Sequence, residues 1–176
     1  MGFFVWSGMG GSASGMSLPA STTPDTIAKT LSVRLTGYNA VPEQTDSTPD
    51  TTATGAYSNP AVIAARSPDL GDALPYGTII EIIESNKDTN CGFSLVDNLI
   101  GYRVIADSTN EHRHSQIDLL FNEADTVLVG GKPTNPALVL GVCEATIRAV
   151  GKIAIKDIPE TQSALALLVN HKVAVR

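Results

Sequence analysis

Asp107 and Asp118 are the residues of this chain best suited to chemistry: two carboxylates eleven positions apart, each attached to an apolar segment. Tyr102-Arg103-Val104-Ile105-Ala106 leads into the first, and Ile117, Leu119, Leu120 and Phe121 surround the second. If both segments are strands, the residues between them form a polar loop. Both acids then stand where strand meets loop, a place where functional groups collect. A carboxyl held there can deliver a proton and take one back. The structural alternative is that each acid caps backbone N–H groups beside a turn or faces water.

Positioning two such acids requires a folded scaffold, and the composition supports one. Hydrophobic residues make up 43% of the 176 and charged residues only 17%, a balance that argues against disorder in the middle of the chain. The length suits one domain with tails. A formal charge of -6 leaves no basic surface to collect phosphates, so nucleic acid is not an expected partner, and anionic surfaces gain no long-range attraction. No run approaches the roughly 18 apolar residues that span a bilayer, so no membrane span is expected.

Residues 1–30 are rich in Gly, Ser, Thr and Pro and read as a flexible leader or the remnant of a secretion signal, one without a basic segment because the first Lys or Arg is Lys29. Domain sequence begins at Leu31, where Leu31, Val33 and Leu35 alternate with Ser32, Arg34 and Thr36 at the period of a half-buried strand. Tyr38 to Gly55 is nearly all turn formers and small hydroxyl side chains. A long ordered loop of this kind suits a binding surface, and Tyr38, Gln44, Thr45, Asp46 and Thr48 are its candidates to line a groove.

Further strands are expected at Ala61–Ala65, Thr78–Ile83, Cys91–Val96, Tyr102–Ala106, Gln116–Phe121 and Cys143–Val150, with a polar excursion at 86–90. Asn135, Pro136 and Gly141 mark the cap, first position and end of a short helix. Six or seven strands with little helix between them indicate an all-β barrel over 31–151. Residues 152–176 read as an extension carrying a short apolar helix from Thr161 to Asn170, packed back on the barrel. Cys91 and Cys143 are compatible either with one disulfide or with two unrelated buried thiols.

A series of short pieces, in this order, resembles the three-aspartate domain of membrane-bound lytic murein transglycosylase A and of bacterial stationary-phase survival muralytic proteins. The pieces are Thr36-Gly37-Tyr38-Asn39, Ile63 to Leu70, Leu74-Pro75-Tyr76-Gly77-Thr78, Val104-Ile105-Ala106-Asp107 and Gln116-Ile117-Asp118-Leu119. The resemblance covers about Leu31 to Gly151 and implies a six-stranded double-psi β-barrel. It also implies that Asp69, Asp107 and Asp118 are the three acids, with Asp118 catalytic, Asp107 beside it and Asp69 in support. The implied substrate is peptidoglycan, and the implied reaction cleaves the β-1,4 bond between N-acetylmuramic acid and N-acetylglucosamine with a 1,6-anhydro product. An extracytoplasmic location follows from that substrate. Ser108-Thr109-Asn110 departs from the Thr-Gly-Gly that follows the first paired acid in well-known members.

The chemistry can be argued without the resemblance. A glycosidase that uses water generally needs two carboxylates. A lytic transglycosylase can use one, which protonates the glycosidic oxygen and then, as carboxylate, deprotonates the sugar's own 6-hydroxyl. Such an acid needs a raised pKa, from burial or from a neighbouring carboxylate such as Asp107. Arg113, in the loop between the acids, suits a lactyl or peptide carboxylate of the glycan. His112 and His114 with Asp107 could be metal ligands, but a solvated loop is the preferred reading and no cofactor motif is present. Tyr38 and Tyr102 are candidates to stack on sugar rings. The alternative reading is a non-catalytic module that binds glycan or loosens the wall, and a third is an interaction barrel. Without a second domain within these residues the cleft is expected to be shallow unless the Tyr38 to Thr54 loop folds over it.

Overall fold

In a computed structural model that describes residues 1–2, 30–85 and 91–174, the alternation starting at Leu31 becomes β1 (Thr30–Asn39), with Val33 and Leu35 buried and Ser32 and Arg34 exposed. The other long elements follow in chain order: β2 (Ile63–Arg66), β3 (Thr78–Ser85), β4 (Arg103–Ser108), β5 (Gln116–Phe121), a short ribbon of β6 (Val127–Val129) and β7 (Lys132–Thr134), and β8 (Cys143–Lys152). Six of them close a mixed barrel in the order β1-β5-β2-β4-β3-β8. The protein is thus mainly β, as the strand count indicates. The readings of residues 3–29 and of the excursion at 86–90 fall outside the described residues.

β1 pairs with β5 and β2 with β4 in parallel, while the remaining barrel pairs are antiparallel. Exchanging β1 with β4, β2 with β5 and β3 with β8 leaves this set of pairings unchanged. β5 lies between β1 and β2, and β2 lies between β5 and β4, so the β1–β2 and β4–β5 connections each step over a strand of the other half.

The pleat sorts the apolar residues into two layers. Ala64, Ile105, Ile117 and Leu119 point into the barrel with Val33, Leu35 and Ile147. Ile63, Val104, Ala106 and Leu120 point outward, where Leu165 and Val169 of α3 (Gln162–Ala174) cover them. Strands buried on both faces read as continuous apolar runs rather than alternation, which accounts for Val104-Ile105-Ala106. Gln162 pins the start of this helix: its amide donates to the carbonyls of Ala61 (2.5 Å), Tyr102 (2.6 Å) and Ile100 (3.1 Å). Among the described residues no helix is long and apolar enough to cross a membrane.

The expected strand at 91–96 is instead a short helix, α1 (Phe93–Val96), preceded by a disulfide between Cys91 and Cys143. A second short helix, α2 (Pro136–Leu140), is capped by the Asn135 side chain, which accepts from the Ala137 N–H. At the contact between them Gly92 donates its N–H to the Leu140 carbonyl (3.0 Å). A Cβ on Gly92 would meet the Val139 carbonyl oxygen at 1.9 Å, so only glycine permits this approach, which a continuing strand would not make.

Arg103 opens β4 fully buried. Its guanidinium donates to the carbonyls of Leu99 (2.8 Å), Leu120 (3.3 Å) and Pro60, tying three chain segments to one planar fork. Burial pushes its pKa down to about 10, which leaves it charged at neutral pH. Arg103→Lys keeps the charge but cannot span three divergent acceptors. It is expected to cost about 2 kcal/mol in urea denaturation through carbonyls left unpaired, and an unchanged midpoint would show that the fork is not what holds these segments.

Candidate active site

Ala65, in the middle of β2, is the pivot. It pairs with Asp118 of β5 on one side and, after a one-residue register shift beyond Ala64, with Asp107 of β4 on the other. Residues paired across strands share a face of the sheet. Without the shift Asp107 would follow Ile105 into the barrel, since the two are two residues apart. The extra residue, Ala106, is absorbed into the outward layer, and Asp107 emerges beside Asp118. The small Ala65 side chain leaves the floor open between them.

The two acids have different surroundings. Asp118 sits opposite Thr36 in the parallel β1–β5 register, and the Thr36 hydroxyl donates to its Oδ1. Gln116, two residues earlier on β5 and buried, donates its amide to the same oxygen at 2.7 Å. Among the described residues neither bond reaches Oδ2. The pKa of Asp118 is raised above 3.8, chiefly because burial disfavours the charged form; Thr36, Gln116 and the charge of Arg113 oppose that shift, and Asp107 adds to it least. Burial therefore has the leading part, rather than the neighbouring carboxylate.

Asp107 is an acceptor of converging donors. Tyr38 donates its hydroxyl to Oδ2 at 2.9 Å, and the backbone N–H groups of Ala53 and Ser108 donate to Oδ1 at 2.9 Å each. The Tyr38 hydroxyl is held well above its usual pKa by burial and by the adjoining Asp107, so it stays a donor. Through Ala53 this acid also ties down the long loop, whose turn is closed by a bridge between Thr51 and Tyr57 and by the Thr54 hydroxyl on the Ala106 carbonyl (2.8 Å). The loop thus folds over the acids and forms one wall of a groove of about 930 Å³.

Tyr38, Gln44, Thr45, Asp46, Thr48, Arg113, Asp107 and Asp118 all line that groove. Several of the loop's polar groups are committed to its own backbone. Gln44 accepts from the Asn39 N–H (2.9 Å), Thr45 donates to the Val41 carbonyl (2.9 Å), and Asp46 accepts from the Thr48 N–H (2.7 Å) and hydroxyl (2.8 Å). The Thr48 bonds also hold the Asp46 carboxyl below its ordinary pKa. Tyr102 lies instead beside a smaller cavity formed with Glu81, Phe93 and Asp97, away from the acids.

Asp69 does not line the groove. It is exposed, in the 3-10 turn Pro68–Leu70 that follows β2, and its Oδ2 accepts from the Ser115 N–H at 2.9 Å. Ser115 has φ 48, a left-handed conformation uncommon for serine, and it immediately precedes β5. Ser67 reinforces the joint by accepting from Gln116 N–H on its hydroxyl (3.0 Å) and donating its own N–H to the Gln116 carbonyl (2.9 Å). Hydrogen bonds from Ser67 and Ser115 lower the Asp69 pKa. Asp69 therefore sets the entry of β5, and through Gln116 the orientation of Asp118. His112 and His114 are exposed in the 109–115 loop, and no group of three His, Cys, Asp or Glu poised for a metal occurs among the described residues.

Sequence reasoning left Thr36 and Gln116 out of the site. Gln116 carried a usable signal, because a glutamine two residues before an acid on a strand shares its face. Thr36 stood in the first piece of the resemblance but had no signal for a role, since only the β1–β5 register places it opposite Asp118. Compared with known proteins, the sequence matches no family model and no curated protein.

Proposed function

We propose that this protein is a peptidoglycan-cleaving lytic transglycosylase built on a three-aspartate double-psi barrel, with Asp118 as its single acid and base. The observation that carries the reading is a carboxyl with a raised pKa, half-buried on the floor of an open groove, whose two hydrogen bonds both fall on Oδ1. Oδ2 is then the atom that carries the proton. The two connections that step over each other's strands support the double-psi assignment. The Cys91–Cys143 disulfide favours an oxidising, extracytoplasmic setting.

The reaction proceeds in two proton transfers. Asp118 Oδ2–H protonates the oxygen linking N-acetylmuramic acid to N-acetylglucosamine, the C1–O bond breaks, and positive charge develops at C1. The carboxylate left behind accepts the proton of the 6-hydroxyl as O6 bonds to C1, closing the 1,6-anhydro ring and restoring the acid. No water is consumed. Thr36 and Gln116 donate to Oδ1 and stabilise the carboxylate between the two transfers. Asp107, held by three donors, fixes the covering loop over the groove in which Asp118 works.

Mass spectrometry of peptidoglycan incubated with the purified protein tests this. Anhydro-muropeptides are expected; hydrolysed reducing ends would mean a water-using glycosidase, and no product would leave a binding module. The pH dependence gives a second check. The protonated form of Asp118 is the active one in the free enzyme, so kcat/KM falls as pH rises through its pKa. Thr36→Val removes a donor that favours the carboxylate, so the pKa rises further and the alkaline limb moves to higher pH. A limb that stays in place or moves down would show that Asp118 is not the group being titrated.

A further inference from the structure

The groove has an apolar wall that its acids do not need. Leu138 of α2 is 74% exposed and Val142, just beyond its end, is 43% exposed, and both line the groove with Ala137. Single exposed apolar side chains are ordinary, but these two adjoin the site rather than being scattered over the surface. Their position is built in. A Cβ on Gly37 would lie 2.9 Å from Ala137 Cα and 3.1 Å from the Phe121 ring, so the bare backbone of β1 lets α2 lie directly against it. Leu138 and Val142 thereby line the same groove as Thr36 and Asp118. The bond between Cys91 and Cys143 and the Gly92–Leu140 hydrogen bond fix the far end of the same wall.

Arg113 lines the same groove. Among the described residues its exposed guanidinium forms no ion pair, although its charge is felt at Asp118. A peptide-free glycan strand offers this cation only its lactyl carboxylates, and offers the exposed alkyl surface of Leu138 and Val142 little besides acetamide methyls, so it matches the two features only in part. Both match a peptide attached to the lactyl group, which brings methyl side chains and carboxylates.

We infer that the groove selects peptide-bearing glycan, with Leu138 and Val142 packing on the small alkyl side chains of the stem peptide and Arg113 pairing with one of its carboxylates. The inference rests on the proposed function for its substrate class. It is tested by binding of the whole protein to soluble peptidoglycan fragments, either intact or stripped of peptide by an amidase. The intact fragment is expected to bind about tenfold more tightly, the equivalent of one charge-assisted contact with its apolar neighbours. Leu138→Ser with Val142→Ser is expected to shrink that ratio to about two, and Arg113→Gln to weaken binding of the intact fragment; all three residues are exposed enough for the variants to keep the core.

Equal affinity for both fragments overturns the inference, as does tighter binding of the stripped strand, which would mean that Arg113 reads the lactyl carboxylate. Equal affinity accompanied by anhydro product overturns the inference alone. Binding of neither fragment, with no anhydro product, overturns the proposed function along with it.

Discussion

Asp118→Asn is expected to lower release of anhydro-muropeptides by about a thousandfold or more, because one general acid or base contributes about a hundred- to ten-thousandfold and here one residue performs both transfers. The fold is expected to survive. Asparagine can still accept from Thr36 and Gln116 at the Oδ1 position and is isosteric with the acid. The pH dependence of stability separates loss of chemistry from loss of structure. A raised native pKa means that the folded state holds the proton more tightly than the unfolded chain does. The corresponding stability is fully present below the unfolded value of 3.8 and is lost as pH rises through the raised native value. Asparagine does not ionise and has no such loss. The variant is therefore expected to match or exceed the wild type in thermal stability at neutral pH while being inactive. Full muralytic activity in a folded Asp118→Asn protein would remove Asp118 from the mechanism.

Replacing both Cys91 and Cys143 by Ser is expected to cost about 4 kcal/mol. The residues are 52 apart in sequence, and the entropy of closing a loop of that length in the unfolded chain gives that figure. For a domain of this size the melting temperature is expected to fall by about 10 °C. The loss extends to the groove: Cys91 and Gly141 form an isolated bridge, and Gly141 and Val142 line the apolar wall. Weaker binding of peptide-bearing fragments should accompany the lower stability. Urea denaturation of the double variant, and of the wild type with and without reductant, measures the effect. Coincident curves would show that the disulfide adds no stability.

The elements whose signals are local were legible. The alternation from Leu31 marks β1, the β-branched run at Thr78 marks β3, and Asn135, Pro136 and Gly141 delimit α2, because each depends on side chains a few residues apart. The strand expected at 91–96 was wrong for a tertiary reason. Cys91 is covalently held to Cys143, and Gly92 lies against α2, so the segment turns into a helix instead of joining the sheet. The β6–β7 ribbon was also missed; its two strands are only three residues long and leave little periodicity to read.

Sequence alone pointed to two acids on strands flanking one polar loop and to a β-barrel, since hydrophobic period and turn chemistry are carried by neighbours along the chain. Asp107 does stand near the end of β4, whereas Asp118 lies inside β5, paired on both sides. Only the tertiary structure made those acids into a site. The shared partner Ala65 and the register shift that turns Asp107 outward are properties of strand pairing. The donors Thr36 and Ala53 reach their carboxylates across 82 and 54 residues of sequence. Asp69, grouped with the other two by resemblance, holds Ser115 at the entry to β5 instead of lining the groove. The difference is physical: a strand is favoured by its own side chains, whereas register, burial and the pKa they impose arise only when distant segments close on one another.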